Sequence, residues 1–348
     1  MQIYSTTESL LGINFVPIYP KKAWSLNSKL IIMNRTDPVS CQLDIINKFY
    51  TKPHLRWFFI PLAVLNCVVD GLLPITSVGG SSLLLVAVIK FPELREVPSN
   101  LLLASLAVSD LLIGLMVQPF LTARQISLLL GDCLLSANNF LKFFASYSVH
   151  GLLFSSCLNI CLITMDRYIC IAYSLRYQDI VTKERVVLVI SVSWVFSLAF
   201  ATIQGLPFLP GTTILKTSAR VFATIPPVLL VFILILCYFK VTKIARQHQR
   251  QIRAQMNVSN YTTQQDFQST KTALLTVGVI FLCYAPAVIV VFGLYVSEDL
   301  ASLEAVKPFL ATLACLNSSV NPLVYYLRSR KIRRYAWKVV KCGMNWLP

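Results

Sequence analysis

The sequence predicts an all-α membrane protein, a bundle of seven transmembrane helices followed by a short amphipathic C-terminal helix. Of the 348 residues, 56% are hydrophobic and only 13% are charged, whereas about a quarter of the residues in a soluble domain are charged. Seven apolar segments also approach or exceed the roughly 20 residues that a membrane-spanning helix needs. These segments lie at about 62–89, 99–120, 138–171, 186–206, 220–242, 270–296 and 305–327.

Several of the segments contain residues that disturb a regular apolar helix. The first contains Asp70 and a pair of adjacent glycines, which makes it the least regular of the seven. The sixth and the seventh contain Pro286 and Pro322. An internal proline removes a backbone hydrogen bond and bends a helix. Two bent helices favour a bundle that can adopt two packings.

The positive charges predict the orientation. The formal net charge is +16, and Lys and Arg lie mainly in alternate connections and after the last segment. The positive-inside rule places that side in the cytoplasm. We therefore expect an extracellular tail at 1–61, a bundle at 62–327 and a cytoplasmic amphipathic helix and tail at 328–348, in a multi-pass protein of the cell membrane. This distribution of charge indicates contact with membrane lipid and argues against nucleic acid as a partner.

Two positions outside the bundle are candidate modification sites. Asn34 begins an Asn-Arg-Thr glycosylation sequon in the outer tail. Apolar residues at helical spacing between 332 and 340 predict a helix on the inner leaflet. Cys342 follows them, and either a palmitoylated cysteine or a free thiol fits this position.

Asp110 is a carboxylate in the middle of an otherwise apolar segment. Such a residue is costly in a membrane and needs polar partners or a wet cavity. Carboxylate, hydroxyl and amide oxygens together can hold a small hard cation, although a helix-packing role for Asp110 is the alternative. The candidate partners on the third and seventh segments are Ser156, Asn317, Ser318 and Asn321.

A second charged motif, Asp166-Arg167-Tyr168, ends the third segment at the cytoplasmic edge. Arg167 has two candidate partners, its neighbour Asp166 and Asp266, which opens the sixth segment from the same side. An arginine–carboxylate pair between two helices would act as a latch. A solvated arginine and carboxylate is the alternative.

In their order and placement, these residues resemble the motifs of the rhodopsin-like (class A) G-protein-coupled receptor family. The resemblance covers about residues 80–342. The motifs that carry it are Ser-Leu-Ala-Val-Ser-Asp ending at Asp110, Asp166-Arg167-Tyr168, Trp194, Cys283-Tyr284-Ala285-Pro286 and Asn321-Pro322-Leu323-Val324-Tyr325.

The resemblance implies a receptor rather than an enzyme. Such a receptor binds an extracellular ligand and activates a heterotrimeric G protein through movement of helices six and seven. The resemblance also implies that the Asp110 group forms an allosteric sodium site, without any other cofactor. It makes Arg167, Tyr238 and Tyr325 activation switches that meet the G protein. Together with the latch, the prolines and the motifs above, the candidate residues for G-protein coupling and the activation switch are Asp166, Arg167, Tyr168, Tyr238, Asp266, Tyr284, Pro286, Asn321, Pro322 and Tyr325.

Departures from the family pattern narrow the range of ligand classes. Val149 stands where amine receptors have an aspartate, and Cys315 stands where opsins have the lysine that binds retinal. We therefore expect a receptor that is neither amine-receptor-like nor opsin-like. A pocket around Val149, His150 and Tyr284 is predicted, and an apolar, lipid or peptide ligand remains open.

The cysteines also depart from the family. The usual disulfide to the second outer loop cannot form, because there is no cysteine between Cys170 and Cys237. A pair formed by Cys41 and Cys133 is an open alternative.

A membrane transporter or channel is the alternative function. Against it, the sequence has no inverted repeat and no pair of broken helices in matching halves. An enzyme is disfavoured too, because the chain has only three histidines and no cluster with metal-ligand spacing.

Overall fold

The structure, a computed structural model, describes residues 53–129, 138–206 and 300–344 together with scattered positions between 226 and 293. All of them belong to one unit, Gln42–Pro348. Every regular element in this part of the chain is helical. Four helices there are long and apolar enough to cross a membrane, namely Ile60–Lys90, Pro98–Ser127, Asn139–Ala172 and Lys183–Gly205.

The helices follow the predicted segments and extend beyond several of their ends. The first, third, fourth and seventh helices are Pro53–Lys90, Asn139–Ala172, Lys183–Gly205 and Leu300–Arg328, and the C-terminal helix is Arg330–Met344. The second runs through Pro98–Leu112, Ile113–Val117 and Gln118–Leu129. The predicted segments 220–242 and 270–296 lie largely outside the described residues.

The prediction ended the second helix nine residues too early, because polar residues interrupt its apolar run after residue 120. The helix continues through Thr122 and Gln125, whose side chains find partners inside the bundle. Thr122 donates to the backbone carbonyl of Gln118 at 2.9 Å. Gln125 is buried and accepts a hydrogen bond from Asn66 of the first helix at 2.9 Å. A polar side chain that has a hydrogen-bond partner can be buried at little cost in free energy. These polar residues therefore do not mark the end of the helix.

Local capping explains where the third and fourth helices begin. The side chain of Asn138 accepts hydrogen bonds from the backbone amides of Phe140 and Leu141. The hydroxyl of Thr182 accepts from the amide of Arg185. Each cap satisfies amide groups that have no partner within the first turn of a helix.

The second helix widens into a π-helical turn at Ile113–Val117. Pro119 follows this turn and has no backbone N–H to donate to it, which removes one α-helical hydrogen bond. The turn is followed by Gln118, which is fully buried. Its side chain accepts from Ser77 of the first helix at 3.1 Å and donates to Ser319 of the seventh at 3.3 Å. The irregular turn therefore precedes a polar contact among three helices.

The first and seventh helices pack very closely where glycine and proline meet. A Cβ atom on Gly80 would overlap the ring of Pro322. The hydroxyl of Tyr326 donates to the carbonyl of Gly80 at 2.9 Å. A residue without a side chain is therefore required at 80, next to the proline of the seventh helix.

The third and fourth helices meet through small residues and stacked rings. A Cβ on Gly151 would lie 2.7 Å from the Cβ of Ala201. Phe154 and Phe200 stack with ring centroids 4.3 Å apart. On the fourth helix, the indole N–H of Trp194 donates to the hydroxyl of Ser105 of the second at 3.1 Å. These contacts fix the position of the third helix, which carries Ser156 of the Asp110 group and the Asp166-Arg167-Tyr168 motif.

The C-terminal helix is amphipathic, and part of its apolar face packs on the protein. Ile332 and Ala336 are buried. The ring of Tyr335 lies 4.6 Å from that of Phe91, in the connection between the first two helices. Lys331 donates to the carbonyl of Glu93 at 3.1 Å. The exposed Trp337 remains available for the membrane surface.

Candidate functional site

Asp110 lies at a junction of the second, third and seventh helices and is fully buried. Its carboxylate accepts hydrogen bonds from Asn321 at 2.9 Å, Ser156 at 3.4 Å and Tyr325 at 3.4 Å. The structure thus brings Asp110 together with two of its four predicted partners. It also adds Tyr325, which the sequence analysis had assigned only to the activation switch.

The other two predicted partners are buried beside this group without hydrogen bonds. Asn317 and Ser318 are fully buried, and neither the amide atoms of Asn317 nor the hydroxyl of Ser318 has a hydrogen-bond partner in the structure. Unsatisfied polar atoms in a membrane interior are costly, so each calls for a ligand, a water molecule or a change of conformation.

No basic side chain neutralises Asp110 within the described residues. The ion pairs found there are Arg167 with Asp166 and Lys183 with Glu96, both near the ends of helices. The buried carboxylate, the hydroxyls and the free amide oxygen form an oxygen-donor set that suits a hard cation such as sodium. On chemistry and burial, the residues present fit that ion.

The second candidate site lies near the C-terminal end of the third helix. The guanidinium of Arg167 lies 2.9 Å from the carboxylate of Asp166. The same carboxylate accepts a hydrogen bond from the hydroxyl of Tyr177 at 2.7 Å. Asp166 is almost fully buried, and the Arg167 side chain is 22% exposed. The arrangement holds Arg167 toward its own helix while leaving part of its side chain exposed.

Tyr177 was not predicted as part of this site. It lies in a short helix, Tyr177–Ile180, within the connection to the fourth helix. Burial, followed by the hydrogen bond to the Asp166 carboxylate, raises the pKa of Tyr177 well above its ordinary value, while nearby Arg167 acts in the opposite direction. Tyr177 therefore stays a neutral hydrogen-bond donor at physiological pH.

The remaining switch residues are only partly described. Tyr168 is half-buried, Pro286 is exposed, and Tyr284 is buried in the same hydrophobic cluster as Cys157 and Tyr325. Tyr238 and Asp266 lie outside the described residues. The latch between Arg167 and Asp266 therefore stays a prediction.

The predicted ligand pocket around Val149, His150 and Tyr284 stays a prediction. Val149 packs on the cluster of Ile113, Val117 and Cys315, Tyr284 belongs to a larger cluster, and Leu153 packs against both. The His150 ring contacts the Ser146 carbonyl at 2.8 Å on its own helix. These positions are fixed by local packing, and the outer loops that would complete a pocket lie outside the described residues.

A second buried carboxylate was noticed in the sequence only as an irregularity. Asp70 of the first helix is fully buried and accepts hydrogen bonds from Thr312 at 2.7 Å and Asn66 at 3.3 Å. Asn66 also donates to Gln125 at 2.9 Å. The signal was available, because Asn66 and Asp70 are four residues apart and therefore share one face of a helix.

The remaining candidates lie outside the described side chains. Asn34, Cys41 and Cys133 are in parts of the chain that the structure does not describe. Cys342 belongs to the C-terminal helix, but its side chain is not described.

Comparison with known proteins places these sites in a family context. The sequence model for the family described as "7 transmembrane receptor (rhodopsin family)" matches residues 80–325. The Histamine H2 receptor of Cavia porcellus is 28% identical over 310 residues, which cover 84% of each chain. The Trace amine-associated receptor 7e of Rattus norvegicus is 26% identical over 293 residues, 76% of this chain and 78% of the relative.

The expectation that the chain is not amine-receptor-like is therefore wrong, since relatives with amine receptors' names match it over most of its length. The error came from giving one position too much weight. Val149 tests a single ligand contact, whereas the similarity extends over the whole bundle. A carboxylate for a cation can also stand on another helix.

Proposed function

This chain belongs to the rhodopsin family of seven-transmembrane receptors, and we propose that its extracellular ligand is a small amine. Membership confirms the predicted all-α seven-helix bundle and the predicted function as a G-protein-coupled receptor in a membrane that the chain crosses several times. The related proteins are receptors rather than enzymes. The transporter or channel alternative is not favoured.

One observation supports the amine most strongly. The Histamine H2 receptor and the trace amine-associated receptors are similar to this chain over most of their own lengths. A small amine is cationic at neutral pH, and a cation inside a membrane needs a buried anionic partner. The bundle contains two buried carboxylates, Asp70 and Asp110, neither of which pairs with a basic side chain within the described residues.

We expect at least one small amine to activate the receptor, and its N-acetylated form to be inactive because acetylation removes the positive charge. The measurement is second-messenger output from cells that express the full chain, challenged with histamine, phenethylamine and their N-acetyl derivatives. Cells without the receptor are the control. Activation by neutral lipids or peptides, with silence toward every amine, would overturn the proposal.

We infer that the cytoplasmic site around Arg167 couples the bundle to the G protein. The support is its position at the end of the third helix and the partial exposure of the guanidinium. Asp166 and Tyr177 hold that side chain in the resting arrangement. Movement of helices six and seven would then free Arg167 for the G protein.

We further propose that Ser156, Asn317, Ser318 and Asn321 would help Asp110 to hold an allosteric sodium ion. The ion would neutralise the buried carboxylate and satisfy the polar atoms that lack partners. In the C-terminal helix, Cys342 is proposed as a palmitoylation site that strengthens contact with the inner leaflet.

The proposed orientation puts the N-terminal tail outside and the C-terminal tail in the cytoplasm. It rests on the excess of Lys and Arg on one side of the bundle. An epitope tag before residue 1 should be labelled on intact cells, and a tag after residue 348 only after permeabilisation. Loss of a glycan in Asn34→Gln would independently place the tail outside. Labelling of the C-terminal tag on intact cells would contradict this orientation.

A further inference from the structure

Asp70 belongs to a polar cluster between the first, second and seventh helices, separate from the Asp110 group. The cluster consists of Asn66, Asp70, Gln125 and Thr312, and each is buried. Asn66 donates to Gln125 at 2.9 Å and to Thr312 at 2.8 Å. Thr312 in turn donates to Asp70 at 2.7 Å. Three helices thus contribute side chains to one closely connected group.

One acceptor of the cluster, a carboxylate oxygen of Asp70, has no donor. The Asn66 amide donates to Asp70, Gln125 and Thr312, and the hydroxyl of Thr312 donates to Asp70. The Gln125 amide carries two further N–H donors, but neither reaches Oδ1 of Asp70. One carboxylate oxygen of Asp70, Oδ1, is buried and has no hydrogen-bond partner. A buried acceptor of this kind is costly unless a donor, and preferably a cationic donor, is supplied.

The cluster also lies on the proposed ligand side of the membrane. Asp70 is ten residues from Ile60, where the apolar span of the first helix begins, and twenty from Lys90, where it ends. Gln125 is four residues from the outer end of the second helix at Leu129. With a rise of about 1.5 Å per residue, Gln125 lies roughly 6 Å inside that end. A small molecule that entered from outside would meet Gln125 before Asp70.

We propose that Asp70 is the counter-ion for the ammonium group of the ligand amine, with Gln125 and Thr312 as further acceptors. A primary ammonium carries three donors and a positive charge, which match the unpartnered carboxylate oxygen of Asp70. It would bind the free Oδ1 and separate Gln125 from Asn66. The inference rests on the proposed amine function and explains how an amine can bind although position 149 is a valine.

The test compares agonist concentration–response curves for histamine and phenethylamine on the full-length wild type, Asp70→Asn and Ser77→Ala. Asp70→Asn keeps the shape of the side chain and removes its charge, so we expect the potency of an active amine to fall about thirtyfold or more. Ser77→Ala is the matched control, because it removes a buried hydrogen bond of the same first helix, to Gln118 of the second, outside the cluster. We expect it to leave potency near that of the wild type.

Each outcome decides a different question. A wild type that responds to amines and an Asp70→Asn variant of equal potency would overturn the counter-ion while leaving the amine function intact. A wild type that ignores every amine would overturn both. If Asp70→Asn does not reach the cell surface, the agonist potency of Asp70→Glu provides the test, because this variant keeps the charge and moves it by one methylene. Reduced potency with retained preference for the charged amine over its N-acetyl form supports the proposal, and unchanged potency overturns it.

Discussion

Arg167→Ala is expected to abolish agonist-stimulated activation of the G protein while leaving ligand binding intact. Arg167 lies eighteen residues along the third helix from Val149, which corresponds to roughly 27 Å at the rise of an α-helix. Its removal therefore does not reach the outer half of the bundle. Loss of a central arginine at a protein interface typically weakens binding by about 2 kcal/mol or more, which is enough to suppress coupling.

Nucleotide exchange by purified G protein, with the receptor in lipid nanodiscs, measures this effect directly. Arg185→Ala is the matched control, since Arg185 lies on the same side of the bundle in the proposed orientation and its side chain donates only to the backbone carbonyls of Asp179 and Ile180 in the described contacts. Ligand affinity measured on the same samples separates coupling from folding. Full exchange activity in Arg167→Ala would remove this arginine from the proposed mechanism.

Substitution of the residues that hold Arg167 should raise the resting activity of the receptor. Asp166→Asn removes the charge that holds the guanidinium, and a loss of about 1.4 kcal/mol shifts a two-state ratio about tenfold. Basal output per receptor at the surface should therefore rise. Tyr177→Phe, which removes only the hydroxyl that donates to Asp166, should raise it less. Asp266→Ala should also raise it if the predicted second latch exists.

The fold was predictable because it depends mainly on local composition. Apolar length predicts each span, and side-chain caps such as Asn138 and Thr182 fix the beginnings of the third and fourth helices. The later end of the second helix was not predictable from composition. It depends on tertiary contacts, such as the one between Gln125 and Asn66, which are 59 residues apart in the sequence.

The candidate sites likewise include contacts that the sequence predicts and contacts that depend on the tertiary structure. The contact of Asp110 with Asn321 was predictable, because a buried charge in a membrane is energetically costly and needs polar partners. Tyr325 could have been added, because it lies four residues beyond Asn321 on the same helix face. The contact of Tyr177 with Asp166 depends on how a connecting segment folds back, which no periodicity reveals. Asp70 looked like a defect in the first helix until its partner Thr312, 242 residues away, was seen beside it.

The second large effect concerns sodium. Sodium is expected to raise the melting temperature of the purified wild-type receptor relative to N-methylglucamine, a cation too large for the site, and Asp110→Asn should abolish this difference. A ligand that binds only the folded state stabilises it by RT ln(1 + [L]/Kd). At a sodium concentration about ten times the dissociation constant, the gain is about 1.4 kcal/mol.

The physical reason is that Asp110 is the only charged ligand in its group. Asn and Asp have the same shape, so Asp110→Asn keeps the packing and removes the charge that attracts the ion. Ser318→Ala should weaken the sodium response without abolishing it, because it removes one neutral oxygen that lacks a partner. Ser148→Ala is the matched control, since Ser148 bonds only to carbonyls of its own helix in the described contacts.

The variant Asp70→Asn distinguishes the roles of the two buried carboxylates, Asp70 and Asp110. If Asp70 serves the amine and Asp110 serves sodium, Asp70→Asn should retain the full sodium response while losing amine potency, and Asp110→Asn should lose the sodium response. An equal response to sodium in the wild type and in Asp110→Asn would reject the sodium site. A response that disappears in Asp70→Asn but persists in Asp110→Asn would instead move the ion to the outer cluster, because the charge that attracts it would then be that of Asp70.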